Sequence, residues 1–293
     1  MTSDAHDDNL APPSPEEVGS AYDRFGPLYD LTLGTSAIHV GRWSAAGPAD
    51  GAGPPPTTLG ELSDQAMDRQ TDYYAAALAP RAGDHVLDIG SGTGGPAVRL
   101  AERTGARVTG ITVSETQVAR SRESAAAAAL SDRVSFVLAD ALELPYEDAS
   151  FDAAWAIDSF SHIADRLRGL RQAWRVLPRG GRLLMTEFTR RGDPSHAQLE
   201  TFRQVWTSPP PLPLAEGLRL AYEAGFELVR LEDQTHDVVM NGEVMTVLYR
   251  DRHDAVLERY GPETTAALDA AIPVFRTFVR DHLGYYLYLL RKP

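Results

Sequence analysis

The chain has 293 residues, 43% hydrophobic and 24% charged, enough for one full domain with a smaller cap or lid. Its formal net charge of -13 argues against a nucleic-acid partner, because a phosphate backbone demands grouped cations on a basic face. With no cysteine the chain has no disulfide, no thiolate-held zinc and no thiol nucleophile, which fits a reducing cytoplasm.

Residues 1–13, "MTSDAHDDNLAPP", are acidic and Pro-rich, with no apolar run long enough for a signal peptide, and read as a disordered tail. Ser14, then Pro15, Glu16 and Glu17, is a helix start. It opens a lid over 14–70 that is rich in Tyr, Phe and Trp and broken by a flexible loop at 45–56, "AAGPADGAGPPP". Helical spacing resumes at "TLGELSDQAMDRQTDYYAAALAP" and stops at Pro80.

Strands and helices then alternate. Strands are expected at 85–90, 107–113, 134–140, 151–158 and 181–188, with helices after the first, second and fourth. Short apolar strands joined by helices of about a dozen residues mean βαβ units and a parallel sheet. The Pro-rich stretch 191–213 interrupts the pattern. Two further helical stretches follow, with strands at "ELVRLED" and in the final "YYLYLLRKP". The expected fold is α/β: a doubly wound, mostly parallel seven-stranded sheet with a helical N-terminal lid and a small inserted cap. The core spans 71–190, the cap and sixth strand 191–260, and the last helix and strand 261–293. No run reaches membrane-spanning length, so no membrane partner is expected; the composition is compatible with a homo-oligomer.

Between the first strand and its helix lies "LDIGSGTGG", whose Gly90, Gly92 and Gly95 satisfy G-x-G-x-x-G. Asp88 argues against a dinucleotide, because a pyrophosphate would meet its carboxylate. The acid expected about 20 residues on, for a ribose, is replaced by Thr112 and Ser114. A carboxylate beside glycines suits a cation, and S-adenosylmethionine (SAM) carries a sulfonium and an ammonium but no phosphate. Asp140, ending the third strand, is placed to accept from an adenine amino group or to cap the next turn. Ser114 and Gln117 are the local substitutes for the ribose acid, with Ser114 equally suited to N-cap the next helix.

The order "LDIGSGTGG", "GITVSETQ", "VLADALELPYEDASFDAAWAIDSFSHIADR", "WRVLPRGGRLLMTEF" resembles the class I SAM-dependent methyltransferases. Within them it is most similar to natural-product enzymes related to the rebeccamycin sugar O-methyltransferase, and the likeness covers most of the chain. The resemblance implies that Asp88, Gly90 and Gly92 line the methionine end, Ser114 and Gln117 the ribose, and Asp140 with Ala141 the adenine. It implies that Asp158 and Ser159 lie just past the sulfonium. It also implies that Tyr22 and Trp43 fold over the cofactor, where core packing is the competing role. The sugar enzyme has two adjacent histidines where this chain has Ser161-His162, and an aspartate where it has Glu187.

Methyl transfer from a sulfonium needs alignment above all, and a hydroxyl acceptor also benefits from a base worth roughly 10²–10⁴-fold. His162 has the ordinary pKa for that role, and it follows the fourth strand on the edge where open α/β sheets bind ligands. Glu187 ends the fifth strand on that edge and is expected to orient the imidazole, with a structural ion pair as its alternative. His162, Glu187 and Asp158 are the candidate catalytic residues. No metal is expected; His162, His236 and His282 are the candidates for one, and none sits in a metal-binding spacing. Residues 190–260, with Phe202, Trp206, Met240 and Met245, offer apolar bulk for a substrate cap or for a satellite core.

The expected activity is SAM-dependent methylation of a small, largely apolar biosynthetic intermediate, on a hydroxyl. C-methylation of a prenyl or 2-oxo acid carbon is the alternative within the class. A non-catalytic SAM- or dinucleotide-binding module is the alternative outside it.

Overall fold

The computed structural model describes residues 12–43 and 55–293. The expected loop at 45–56, apart from its last two residues, and the tail up to residue 11 lie outside the described residues. Helix α1 (Pro15–Thr32) starts where Ser14 places it. Ser14 Oγ accepts from Glu17 N at 3.2 Å while Glu17 Oε2 accepts from Ser14 N at 2.7 Å, a reciprocal cap. Helix α2 (Leu59–Leu78) ends on Ala79, whose left-handed backbone (φ 48°) stops the helix ahead of Pro80.

The alternating segment builds the sheet: β1 (His85–Ile89), α3 (Gly95–Thr104), β2 (Arg107–Thr112), α4 (Glu115–Ala127), β3 (Val134–Leu138), β4 (Ala153–Ala156), α5 (Arg166–Val176) and β5 (Arg182–Arg190). A 3-10 turn, Phe160–His162, bridges β4 and α5. The Pro-rich stretch holds α6 (His196–Trp206) and the short β6 (Leu212–Pro213). After it come α7 (Leu214–Glu223), β7 (Glu227–Asp233), α8 (Thr235–Asp251), α9 (His253–His282) and β8 (Leu283–Arg291). Helix α9 breaks at Gly261 (φ 77°, ψ 170°), which precedes Pro262 and leaves the helical region.

Among the described residues eight strands form one sheet, ordered β3-β2-β1-β4-β5-β8-β7, with β6 added parallel to β5. Strands β1 to β5 pair in parallel; β8 runs antiparallel to both β5 and β7. The doubly wound expectation holds, with three additions the sequence reading lacked: β6, α6, and more helix after residue 213 than two stretches. The chain begins at the middle of the sheet, winds outward to β3 and returns to β4. The carboxyl ends of β1 and β4 therefore diverge into the crevice where such sheets hold ligands.

Two apolar layers cover the sheet. Tyr74, Leu78, Leu100, Trp155 and Leu184 fill the side facing α2, α3 and α4. Leu87, Phe151, Phe160, Leu170 and Tyr288 fill the side facing α5 and α7. A third cluster joins α6, α8 and α9 to the irregular strap 33–43 through Phe202, Phe275, Phe278, Leu33 and Val40. Burying a side chain of this size contributes about 2–3 kcal/mol. The three clusters make one continuous support for the strand ends.

Candidate active site

The carboxyl ends of β1, β2 and β4 open into a cleft of about 860 Å³, and a recess of about 320 Å³ adjoins it across Gly90, Gly92, Ile38 and Ile157. Together they run from Asp88 to Asp140. Gly90 and Gly92 adopt positive φ (78° and 53°). A side chain at Gly90 would drive a Cβ to 2.3 Å from Ser159 Cβ, whereas one at Gly92 would meet nothing within 4 Å. The first glycine thus lets the loop close on β4, and the second leaves the backbone bare toward the cleft.

Asp88 is 3% exposed and lines the recess, and its Oδ2 has no hydrogen-bond partner. Burial pushes its carboxyl up to about 7. Asp158, also buried, lines the cleft. Its φ of 53° is left-handed, a conformation that costs a non-glycine residue about 1 kcal/mol and persists where surroundings hold it. Its Oδ1 accepts from Thr186 Oγ1 and Tyr285 OH, each at 2.6 Å, and its Oδ2 from Val40 N at 2.9 Å. Among the described residues no Lys, Arg or His forms an ion pair with either carboxylate, and no Lys or Arg lines the cleft or recess. A wall of this kind fits a cationic ligand and rejects a pyrophosphate. It suits SAM and counts against a dinucleotide.

At the far end Asp140 caps the next turn, one of its two expected roles, and also lies on the cleft wall. Its Oδ1 accepts from Leu142 N at 2.8 Å, and Ala141 lines the cleft beside it. Gln117 also lines the cleft, its Oε1 accepting from Thr112 Oγ1 at 2.6 Å. Ser114 does not line it. Its hydroxyl caps α4 by accepting from Gln117 N and donates to Asp23 of α1 at 2.5 Å. The ribose role expected of Ser114 gives way to an anchor for the lid.

Tyr22 lies on the cleft wall as expected, on a lid face with Pro13, Pro15 and Val18. Pro13, read from sequence as the end of the tail, is buried there. Trp43 is corrected: it lines neither cavity. Its backbone N–H donates to Asp237 Oδ1 at 2.7 Å and its indole to Asn241 Oδ1 at 3.4 Å, which seats it on α8. The strap's Ile38 and His39, missed as site residues, roof the recess instead. Their positions have no motif; the path of an irregular segment is set by partners far away in the chain.

His162 stands half-buried in the cleft wall. Its Nδ1 lies 3.1 Å from Thr207 O and 2.9 Å from Ser208 Oγ, and its Nε2 2.9 Å from Tyr22 OH. A carbonyl only accepts, so Nδ1 carries the proton and Nε2 presents a lone pair to the tyrosine hydroxyl. Burial lowers the imidazole pKa below its usual 6.5. The expected Glu187–His162 pair does not form. Glu187 is buried 3.7 Å from Arg166 Nε, and burial pushes its carboxyl up to about 7 against that guanidinium. Thr207 and Ser208, from the Pro-rich connection, do the orienting that was assigned to Glu187.

The metal candidates do not converge. His236 is exposed, and His282 Nδ1 lies 3.3 Å from Arg191 O. Among the described residues no group of three or more His, Asp and Glu could hold an ion. The cap residues divide: Phe202 and Met245 are buried in the satellite core, Trp206 stacks on Phe275 at 5.4 Å, and Met240 is exposed. None lines the cleft. No described helix is long and apolar enough to cross a membrane.

Comparison with known proteins agrees with this geometry. Residues 87–185 match the family described as the methyltransferase domain. The chain is 37% identical over 289 residues to 27-O-demethylrifamycin SV methyltransferase of Amycolatopsis mediterranei (strain S699), covering 97% of this chain and 100% of the relative. It is 35% identical over 280 residues to the methyltransferase GfsG of Streptomyces halstedii, covering 94% of each. Among solved structures, the [4+2]-cyclase SpnF superposes with a TM-score of 0.81 at 32% identity, over 97% of this chain and 98% of that one. The fold thus also serves a cyclase, so chemistry must be argued from the site. With full-length relatives named as methyltransferases and a cleft built for a cation, the chain belongs to the class I SAM-dependent methyltransferases.

Proposed function

We propose that the protein transfers a methyl group to a hydroxyl of a small polyketide-like natural product, with His162 as the base. The observation that carries this reading is the His162 environment: Nδ1 held by Thr207 O at 3.1 Å, Nε2 bare except for Tyr22 OH at 2.9 Å. The reading also draws on the first relative, whose name places its methyl acceptor at an oxygen.

Bound SAM supplies an electrophilic methyl and a thioether leaving group that needs no proton. The protein's work is to hold both partners and take the acceptor's proton. In this reading Asp88 takes the ammonium, Gly90 and Gly92 allow the close approach of the methionine portion, Gln117 takes a ribose hydroxyl through its amide, and Asp140 with Ala141 takes the adenine. Ser159, whose Oγ donates to Ile89 O at 2.5 Å, keeps the β4 end against the glycine loop. His162 Nε2 receives the proton as the acceptor oxygen attacks. Its pKa, lowered by burial, keeps it neutral at pH 7. Tyr22 holds that position until an acceptor hydroxyl takes it, which links lid movement to deprotonation. Glu187 stays with Arg166, whose Nη2 donates to Ser161 O at 3.4 Å and so steadies the turn that carries His162.

The test is transfer of a labelled methyl from SAM to a panel of polyketide alcohols, 27-O-demethylrifamycin SV among them, for the parent and His162→Ala. The expected product carries its label on oxygen. Parent kcat/KM should rise with pH through an apparent pKa below 6.5, and the variant should lose roughly 10²–10⁴-fold in kcat while binding SAM normally. A label on carbon, or turnover unaffected by the substitution, refutes the reading.

A further inference from the structure

We propose that Asp158 acts on the cofactor through the strap rather than by touching the reacting atoms: it is a positioning residue that pins residues 38–43 over the methionine half of the site. The inference rests on the family's cofactor and is independent of His162 as a base.

Strap residues 40–43 have every backbone N–H accepted from outside the strap. Val40 donates to Asp158 Oδ2 at 2.9 Å, Gly41 to Asn241 Oδ1 at 3.2 Å, Arg42 to Ala66 O at 2.8 Å, and Trp43 to Asp237 Oδ1 at 2.7 Å. Just upstream, Ile38 and His39 form the roof of the recess where Asp88 and the glycines lie. His39 is itself fixed, with Nδ1 2.9 Å from Val40 O and Nε2 2.9 Å from Thr71 Oγ1. Pinning Val40 therefore fixes the residues that close the site.

The carboxylate that does the pinning is held from behind. Thr186 Oγ1 accepts from Asp158 N at 2.8 Å and donates to its Oδ1, so one hydroxyl locks both the left-handed backbone and the side chain. Tyr285 donates to the same oxygen and lies 3.0 Å from Tyr74 OH, where Gln234 and Gln70 continue a fully buried network toward α2. Both carboxylate oxygens of Asp158 accept from protein donors, Thr186 on β5 and Tyr285 on β8 at Oδ1 and Val40 N of the strap at Oδ2. That is the arrangement of a clamp, not of a group reserved for a ligand.

SAM and S-adenosylhomocysteine separate the possibilities, because they differ in the methyl and its positive charge. Both are titrated calorimetrically against the parent, Asp158→Asn, Tyr285→Phe and Asn241→Leu, and amide exchange of 38–43 is followed in each. Asn241 lines neither cavity, and leucine preserves its bulk while removing the acceptor for Gly41 N–H. Each variant should weaken both ligands equally, by about ten- to a hundredfold for a buried hydrogen bond left unmade, with faster exchange at 40–43. If Asp158→Asn does not fold, Tyr285→Phe and Asn241→Leu carry the same prediction. Loss of SAM affinity alone in Asp158→Asn makes Asp158 a direct partner of the sulfonium and overturns the proposal. Unchanged affinity for both ligands, with only a lower Tm, reduces the clamp to core structure and overturns it as well.

Discussion

Replacing Asp88 with asparagine removes a buried charge and keeps the shape of the side chain. The carboxyl is 3% exposed, Oδ2 has no partner, and burial holds its pKa at about 7 against an ordinary 3.8. Between those values the native protein keeps a proton that the unfolded chain has released. Stability therefore falls as pH rises through that window, and the whole cost is present above pH 7. Holding the carboxyl at about 7 rather than 3.8, at about 1.4 kcal/mol per tenfold in proton affinity, costs about 4 kcal/mol. Asp88→Asn carries no such cost, so without ligand it should be more stable than the parent at pH 8 by up to about 4 kcal/mol, with the advantage gone near pH 4. The same variant should bind SAM about ten- to a hundredfold more weakly, for one charge-assisted hydrogen bond lost. Urea unfolding at pH 4, 6 and 8 and calorimetry at pH 8 measure the two effects. A stability difference that does not change between pH 4 and 8, or undiminished SAM affinity, refutes the account of a charge kept at a cost for its ligand.

Two other substitutions test the supports of the site. Gly95→Ala would put a Cβ 2.0 Å from the backbone Ser36 O, and because Gly95 is the first residue of α3 alanine's helix-interior advantage does not offset the strain of about 1–3 kcal/mol, so thermal melting should drop by several degrees. Arg166→Met leaves Glu187 buried without its cation, and urea unfolding should show a loss of about 3–5 kcal/mol at pH 8. Because the folded-state pKa of Glu187 is raised to about 7, most of that loss should be regained at pH 5, where the folded protein holds the carboxyl neutral.

The parts of the protein governed by local pattern were legible in the sequence. Short segments rich in Val, Leu and Ile marked β1 and β2, and the glycines after β1 marked the crevice. Asp88, Asp140 and His162 lie at strand ends or in the connections that follow, Gln117 in the first turn of α4, and all line the cavities. The strap was not legible, because it has no period: its hydrogen bonds reach Asp64, Asp158, Asp237 and Asn241, up to 200 residues away. Helix α6 lay hidden beside the Pro cluster, although Ser195 and Gln198 form a capping box that marks its start. Ser114 takes the N-cap role that its place before α4 allowed, and its hydroxyl also reaches Asp23; Trp43, placed over the cofactor by resemblance alone, is instead fixed by Asp237, 194 residues away.

The error over Glu187 has a different origin, in the pleat of β5. Position along a strand says which edge of the sheet a residue reaches; parity says which face it takes. In the pairing of β5 with β8, Met185 opposes Tyr288 and Glu187 opposes Tyr286, so these share the face covered by α5 and α7, where Arg166 waits. Thr186 and Phe188 oppose Leu287 and Tyr285 on the other face. Asp158 is bound from that second face, by Thr186 and Tyr285. The carboxylate at 187 and the hydroxyl at 186 are therefore divided between two layers by a single residue step. Choosing the acid because it lies toward the end of the strand selects the wrong layer, and the neutral threonine beside it becomes the group that reaches the cleft's own carboxylate. The imidazole then takes its tautomer from a loop carbonyl at Thr207, which no search for an Asp or Glu partner would find.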